Sequence, residues 1–232
     1  MSDDLPFQLP PVDPATADDI PATALSAELV AGLLADGDDE LVAWALRHAL
    51  TEAPRTVVFD GLLRDAMELV GERWESGQWS IAEEHLASRT LLRALEQVRP
   101  PMSPESRIGP VAVLAGVTGE QHMIGLVCLE QVLTEAGWTV ANLGADLPSS
   151  DLGQFVARND VALVALSAGS GRSSAVADAV VAVRVAAGER SIPILVGGRI
   201  AREAAIAAES GADGSAVSLA DAVRFARTHL PA

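Results

Sequence analysis

Residues 114–133 read LAGVTGEQHMIGLVCLEQVL, and this stretch decides the fold. It begins as an apolar run of strand length and ends as an apolar run at helical spacing. Between the two stand Glu120, His122 and Gly125, in a turn too polar and too specific for a mere connector. A strand that passes through a short turn into a helix is the opening of a βαβ unit, so the residues after it should alternate in the same way.

They do. Working outward toward the C-terminus, VAVLAGV (111–117) is a strand and the helix after it runs to Gly137. TVANLG (139–144) is a second strand, and SSDLGQFVARN (149–159) a helix for which Ser149 or Ser150 offers the N-cap. VALVALS (161–167) is a third strand, followed by a long Ala/Val helix over about 172–187. IPILVGG (192–198) is a fourth, followed by the helix AREAAIAAESG (201–211). A short fifth element near DGSAV (213–217) precedes a last helix, LADAVRFART (219–228). Five nearly all-apolar strands separated by helices specify an α/β protein with a parallel sheet covered on both faces. In such folds ligands bind outside the carboxyl ends of the strands, and Glu120 and His122 lie just past the end of the first.

Toward the N-terminus the pattern changes. RPPMSPESRIGP (99–110), with prolines, serines and charges, marks a linker over 98–109. Residues 23–97 carry a helical period in four segments, with a stop at Gly37 and a capping-box spacing at Ser80 and Glu83. Short connections predict an antiparallel four-helix bundle. Residues 1–22 are acidic and rich in proline, which predicts a disordered tail and excludes a secretory signal. The domain order expected is therefore tail, bundle (23–97), linker, and α/β domain (110–232).

The 232 residues carry a formal net charge of −16, which repels phosphate backbones and excludes direct nucleic-acid binding as the expectation. No apolar run is long enough for a membrane span, and the cytoplasm is the default location. The single cysteine, Cys128, reads as a buried thiol. Neither G-x-G-x-x-G nor a phosphate-binding G-x-x-x-x-G-K-[ST] follows the first strand, which counts against a nucleotide-binding domain.

GEQHMIG (119–125) resembles the Asp-x-His-x-x-Gly signature of cobalamin-binding domains, with Glu120 in place of the aspartate. VGGR, with Gly197 and Gly198, resembles the second glycine signature of those domains, and NLGADLPSSDL (142–152) is similar to their loop after the second strand. The intermediate Ser-x-Leu element is present only as Ser167-Ala168-Gly169. The resemblance covers residues 110–230 and implies a five-stranded, doubly wound, flavodoxin-like domain. Trp74, nine intervening residues and then Glu84-His85 match the W-x9-E-H signature of the light-sensing cobalamin regulators of the carotenoid-repressor type.

Several expectations follow from that resemblance. His122 is the lower ligand of cobalt, an imidazole being the commonest such donor, and Glu120 takes the other ring N–H. Gln121, Met123 and Gly125 line the cofactor beside it. Ser167, Ala168, Gly169, Gly197 and Gly198 line the path of its displaced dimethylbenzimidazole tail, and Leu143, in the loop after the second strand, also binds the cofactor. Trp74, Glu84 and His85 belong to a bundle that caps the upper face, the tryptophan over the adenosyl group. The expected cofactor is adenosylcobalamin, with a biliverdin-type bilin as an open second chromophore. No catalytic residue is expected. Light cleavage of the cobalt–carbon bond would change domain arrangement, homo-oligomeric state or the binding of a protein partner, as in transcription regulation. The alternative is a corrinoid methyl carrier serving separate methyltransferases. In the light regulators a histidine follows the tryptophan and captures cobalt afterwards; here that position is Glu75.

Of the remaining candidates, Trp79 reads as a packing staple, Trp44 and His48 as neighbours on one helix face, and Arg172 and His229 as solvated.

Overall fold

A computed structural model describes residues 25–101 and 109–230. The expected tail, most of the expected linker and the last two residues lie outside them. The chain divides into two compact units, Met1–Val98 and Arg99–Ala232.

The first unit is helical. Helix α1 (Ala27–Asp36) starts on the Ser26 hydroxyl, which accepts the Leu29 N–H, and stops at Gly37 with φ 75°. Helix α2 (Asp39–Glu52) starts on the Asp38 carboxylate, and its acidic first turn suits the positive end of the helix dipole. The third rod is not uniform. Helix α3 (Arg55–Val58) passes through a π-helical stretch, Phe59–Leu63, into α4 (Arg64–Glu75). Helix α5 (Ile81–Gln97) opens with both halves of the Ser80–Glu83 capping box formed. One buried stripe from each rod makes the core, including Leu34, Leu46, Val70, Leu91 and Leu95. Each such side chain contributes about 1.5–3 kcal/mol. Arg55, itself buried, donates from Nη1 to the Val98 carbonyl at 3.0 Å and so ties the third rod to the end of α5.

The second unit is the doubly wound α/β fold. Strands β1 (Val111–Gly116), β2 (Thr139–Asn142), β3 (Val161–Ser167), β4 (Ile194–Gly197) and β5 (Gly214–Ser215) form one parallel sheet in the order β2-β1-β3-β4-β5. This is the flavodoxin-like order, in which the winding reverses between β1 and β3. Helices α6 (Ile124–Glu135), α7 (Ser149–Arg158), α8 (Ser173–Ala187), α9 (Ile206–Ser210) and α10 (Leu219–Thr228) cover it. Val113, Val164, Leu166, Ile194 and Val196 from the strands meet Val156, Val176, Val180 and Val183 from α7 and α8 in one apolar cluster. Residues buried on both sides of the sheet explain why the strands read as continuous apolar runs.

Two helix details depart from expectation. Neither Ser149 nor Ser150 caps α7: the N-cap is Pro148, and Ser149 already lies in the helix. Pro148 is extended, with φ −60° and ψ 138°, and the helix starts from it without a side-chain cap. The segment expected as one helix after β4 is divided into a 3-10 turn, Arg199–Arg202, and the short α9. No helix among the described residues is long and apolar enough to cross a membrane.

Candidate cofactor site

The sheet's register builds the floor of the site. Gly116 pairs with Ser167, and Ser167 with Gly197, so three small residues end three adjacent strands in one row. The loops that follow these strands converge above it.

The loop after β1 presents the imidazole. Val117, still buried, donates to the Ser167 carbonyl and carries the chain past the strand end. Glu120 then turns inward and is 3 % exposed, although it is a carboxylate. Its Oε1 accepts the His122 backbone N–H at 2.8 Å and lies 2.6 Å from His122 Nδ1. Burial pushes the Glu120 carboxyl up. The His122 N–H, the His122 ring and the Gly169 N–H outweigh it and hold the carboxyl below the ordinary range. An ionised carboxylate on Nδ1 fixes the proton there and leaves Nε2 with its lone pair. The His122 side chain is 80 % exposed, and Nε2 has no hydrogen-bond partner among the described residues.

The glycines separate into two kinds. Gly198 has φ 84° and ψ −169°, a conformation essentially reserved for glycine, and a Cβ there would meet the Ala168 nitrogen at 2.9 Å. A Cβ on Gly169 would lie 3.2 Å from Glu120 Oε2, so this glycine lets the carboxylate approach the backbone. Their residue type is explained by the protein itself. Gly125 and Gly197 are different. Gly125 sits in the first turn of α6 with nothing within 4 Å of its Cβ position, and at Gly197 the nearest atoms are 3.9 Å away. Neither has a positive φ. Among the described residues nothing requires glycine at these two positions, and both border the site, which leaves room for a bulky partner.

Among the other expected residues, Gln121 turns to Asp146, its Nε2 donating to Oδ2 at 3.2 Å. Met123 is 38 % exposed beside His122, with its methyl group toward Gly144. Leu143 packs against the apolar cluster rather than standing free. In the helical unit, Trp74 is 46 % exposed, so it is not a core tryptophan. Glu84 accepts the Ser88 hydroxyl at 2.7 Å and lies 3.6 Å from His85.

Four residues outside the expected set add to the reading. Trp79 has the Arg73 guanidinium over its ring, 5.1 Å from the centroid. His229 is not simply solvated: its ring lies 4.3 Å from that of Phe225, and Nδ1 lies 2.9 Å from the Phe225 carbonyl oxygen. Arg172 folds onto the β1–α6 loop, its guanidinium against Gly119. Asp146 was missed altogether; the signal available was its place two residues after Gly144 in the NLGADLP loop.

An imidazole held by a buried carboxylate past the carboxyl end of β1, with room left beside it, defines the class: an α/β domain whose ligand site lies at the carboxyl ends of its strands. Comparison with known proteins makes this specific. Residues 27–99 and again 110–224 match B12 binding domain families. The chain therefore belongs to the B12-binding proteins, and its cofactor is a corrinoid.

The chain is similar to the HTH-type transcriptional repressors CarH and CarA of Myxococcus xanthus. Both are 34% identical, over 71% and 72% of this chain and 54% and 55% of theirs. It is also similar to trimethylamine corrinoid protein 1 of Methanosarcina mazei, 29% identical over 50% of this chain and 55% of that one. The chain thus spans about half the length of these relatives. The structure of the monomethylamine corrinoid protein of Methanosarcina barkeri has the same fold, with TM-score 0.69 at 18% identity, over 85% of this chain and 95% of the other.

Proposed function

We propose that this chain is a light-responsive cobalamin-binding regulator that holds adenosylcobalamin with its own dimethylbenzimidazole displaced and His122 as the lower ligand. One observation carries the reading: the Glu120–His122 pair, in which Oε1 lies 2.6 Å from Nδ1 while the imidazole is exposed at the carboxyl end of β1. Cobalamin would supply a cobalt ion and, in its adenosyl form, a light-labile cobalt–carbon bond. His122 would hold the ion, and Glu120 would keep the imidazole in the ligating tautomer. Gly125 and Gly197 leave the space, while Ser167, Gly169 and Gly198 keep the neighbouring walls small. Trp74, Glu84 and His85 are the residues of the helical unit that would meet the upper ligand. The exposure of Trp74 supports this role, since the helical core does not use it. With Glu75 in place of a histidine after the tryptophan, capture of cobalt by that position after illumination is not expected, a carboxylate being the poorer ligand.

The kinship with two transcriptional repressors supports a regulatory role. With a charge of −16, the output is a change in assembly or in binding to another protein rather than contact with nucleic acid. The decisive experiment is to load the purified chain with adenosylcobalamin in the dark and record spectrum and mass in solution before and after green light. Both should change. Identical spectra and identical mass would overturn the light-responsive reading. A long-wavelength band beyond those of cobalamin would add a bilin. The kinship with a trimethylamine corrinoid protein supports a second reading, a methyl carrier. Methyl transfer from the methylcobalamin-loaded chain to a thiol, driven by a methyltransferase, would establish it.

A further inference from the structure

We propose that Asp146, in the connection between β2 and α7, is the positioning residue of the ligand loop, clamping residues 119–121 so that His122 is presented in register. This rests on His122 as the cofactor ligand.

The carboxylate of Asp146 reaches a loop that is distant in sequence. Oδ1 accepts the Gly119 N–H at 2.6 Å and Oδ2 accepts Gln121 Nε2 at 3.2 Å. The backbone N–H of Asp146 donates to the Glu120 carbonyl at 2.8 Å. One residue thus holds three consecutive residues, and the next in the chain is His122. The contact continues beyond Asp146. The Leu147 N–H donates to the Gly116 carbonyl at 2.9 Å, the Thr118 hydroxyl donates to the Leu147 carbonyl at 3.3 Å, and Val117 bridges Leu147. The two loops are closed along their length.

The backbone of Asp146 shows that this arrangement is not incidental. Its φ is 53°, and among the described residues no other non-glycine has a positive φ. Glycine would adopt this conformation at lower cost, and strain of this kind gathers at functional sites. Aspartate often tolerates such a φ by bonding to its own turn, but here both carboxylate oxygens are directed to the other loop. The side chain therefore explains the residue type. On the other side of the clamp, Gly119 has φ 82° and the Arg172 guanidinium lies against it, so the loop is confined from two directions. A carboxylate on a backbone N–H is a charge-assisted bond, the stronger kind.

The test compares Asp146→Gly and Asp146→Asn with the wild-type chain and with His122→Ala. The glycine variant keeps the backbone conformation and removes both acceptors; the asparagine variant keeps an acceptor for Gly119. Each is labelled with 15N-histidine and loaded with cob(II)alamin, and the nitrogen splitting in the electron paramagnetic resonance spectrum reports the fraction bound through histidine. D146G is expected to weaken cobalamin binding about tenfold or more, the scale of lost outer partners, and to lower the histidine-bound fraction. In the cobalamin-free protein, hydrogen exchange at the Gly119 amide should quicken. D146N should recover the fraction toward wild type. A D146G protein with wild-type exchange at Gly119 and wild-type histidine-bound fraction would overturn the proposal, as would a D146N no better than D146G. If H122A itself keeps the labelled signature, the ligand assignment fails instead, which separates the two.

Discussion

Glu120 and His122 are two residues apart, and that interval lets one carboxylate oxygen take both the backbone N–H and the ring nitrogen of the same histidine. The pair was legible in the sequence because the contact is local. A buried carboxylate held below its ordinary range is stabilised by what it bonds, so removing it should act on the imidazole. Glu120→Ala is expected to raise the dissociation constant for cobalamin about 10–100-fold, followed by absorption titration at constant pH. An unchanged constant would mean that His122 needs no anchor. For Asp146 the sequence offered only its place in the NLGADLP loop; its partners at 119–121 lie on another loop, and nothing in its neighbourhood names them. Leu143 is expected to bind the cofactor from the loop in which it sits, and the structure adds what the loop could not show, its packing against the apolar cluster.

Elements add a test that single side chains cannot. A glycine kept for the fold and a glycine kept for a ligand respond oppositely to a methyl group. Gly198→Ala, at φ 84° and against Ala168, should destabilise the cobalamin-free protein by about 1–3 kcal/mol. Gly125→Ala places a better helix former in an open position of α6 and should stabilise it by about 0.5–1 kcal/mol while weakening cobalamin uptake. Chemical denaturation without cofactor and titration with it distinguish the two. If G125A binds cobalamin as the wild type does, the space beside α6 is not used by the cofactor. Strand and helix order was readable from period alone, since apolar runs and helical spacing are local signals. The π-helical stretch at Phe59–Leu63 and the break between Arg199–Arg202 and α9 were not, because both need the packing of neighbours to decide how a helix continues.

The whole molecule carries −16 charges on 232 residues, and copies of the chain repel at long range. Salt screens this repulsion over about 10 Å at 0.1 M. Self-association in the dark should therefore strengthen as sodium chloride rises from about 0.02 to 0.3 M, a range that spans that screening length. Sedimentation measures it directly. Weaker association at high salt would mean that opposite charges meet across the contact, against the sign of the net charge.

The sequence by itself determined the parallel α/β architecture, the helical segment before it and the pairing of His122 with Glu120. Each of these is written in spacings of a few residues: the period of strand and helix, and the Glu-x-His interval. Tertiary structure alone decided which small residues share one row across β1, β3 and β4, which glycines the chain requires and which it leaves open, and that Asp146 closes on the loop before His122. Those facts depend on strand order and register. Register is set by packing both faces of the sheet at once, so no single segment of the chain contains it.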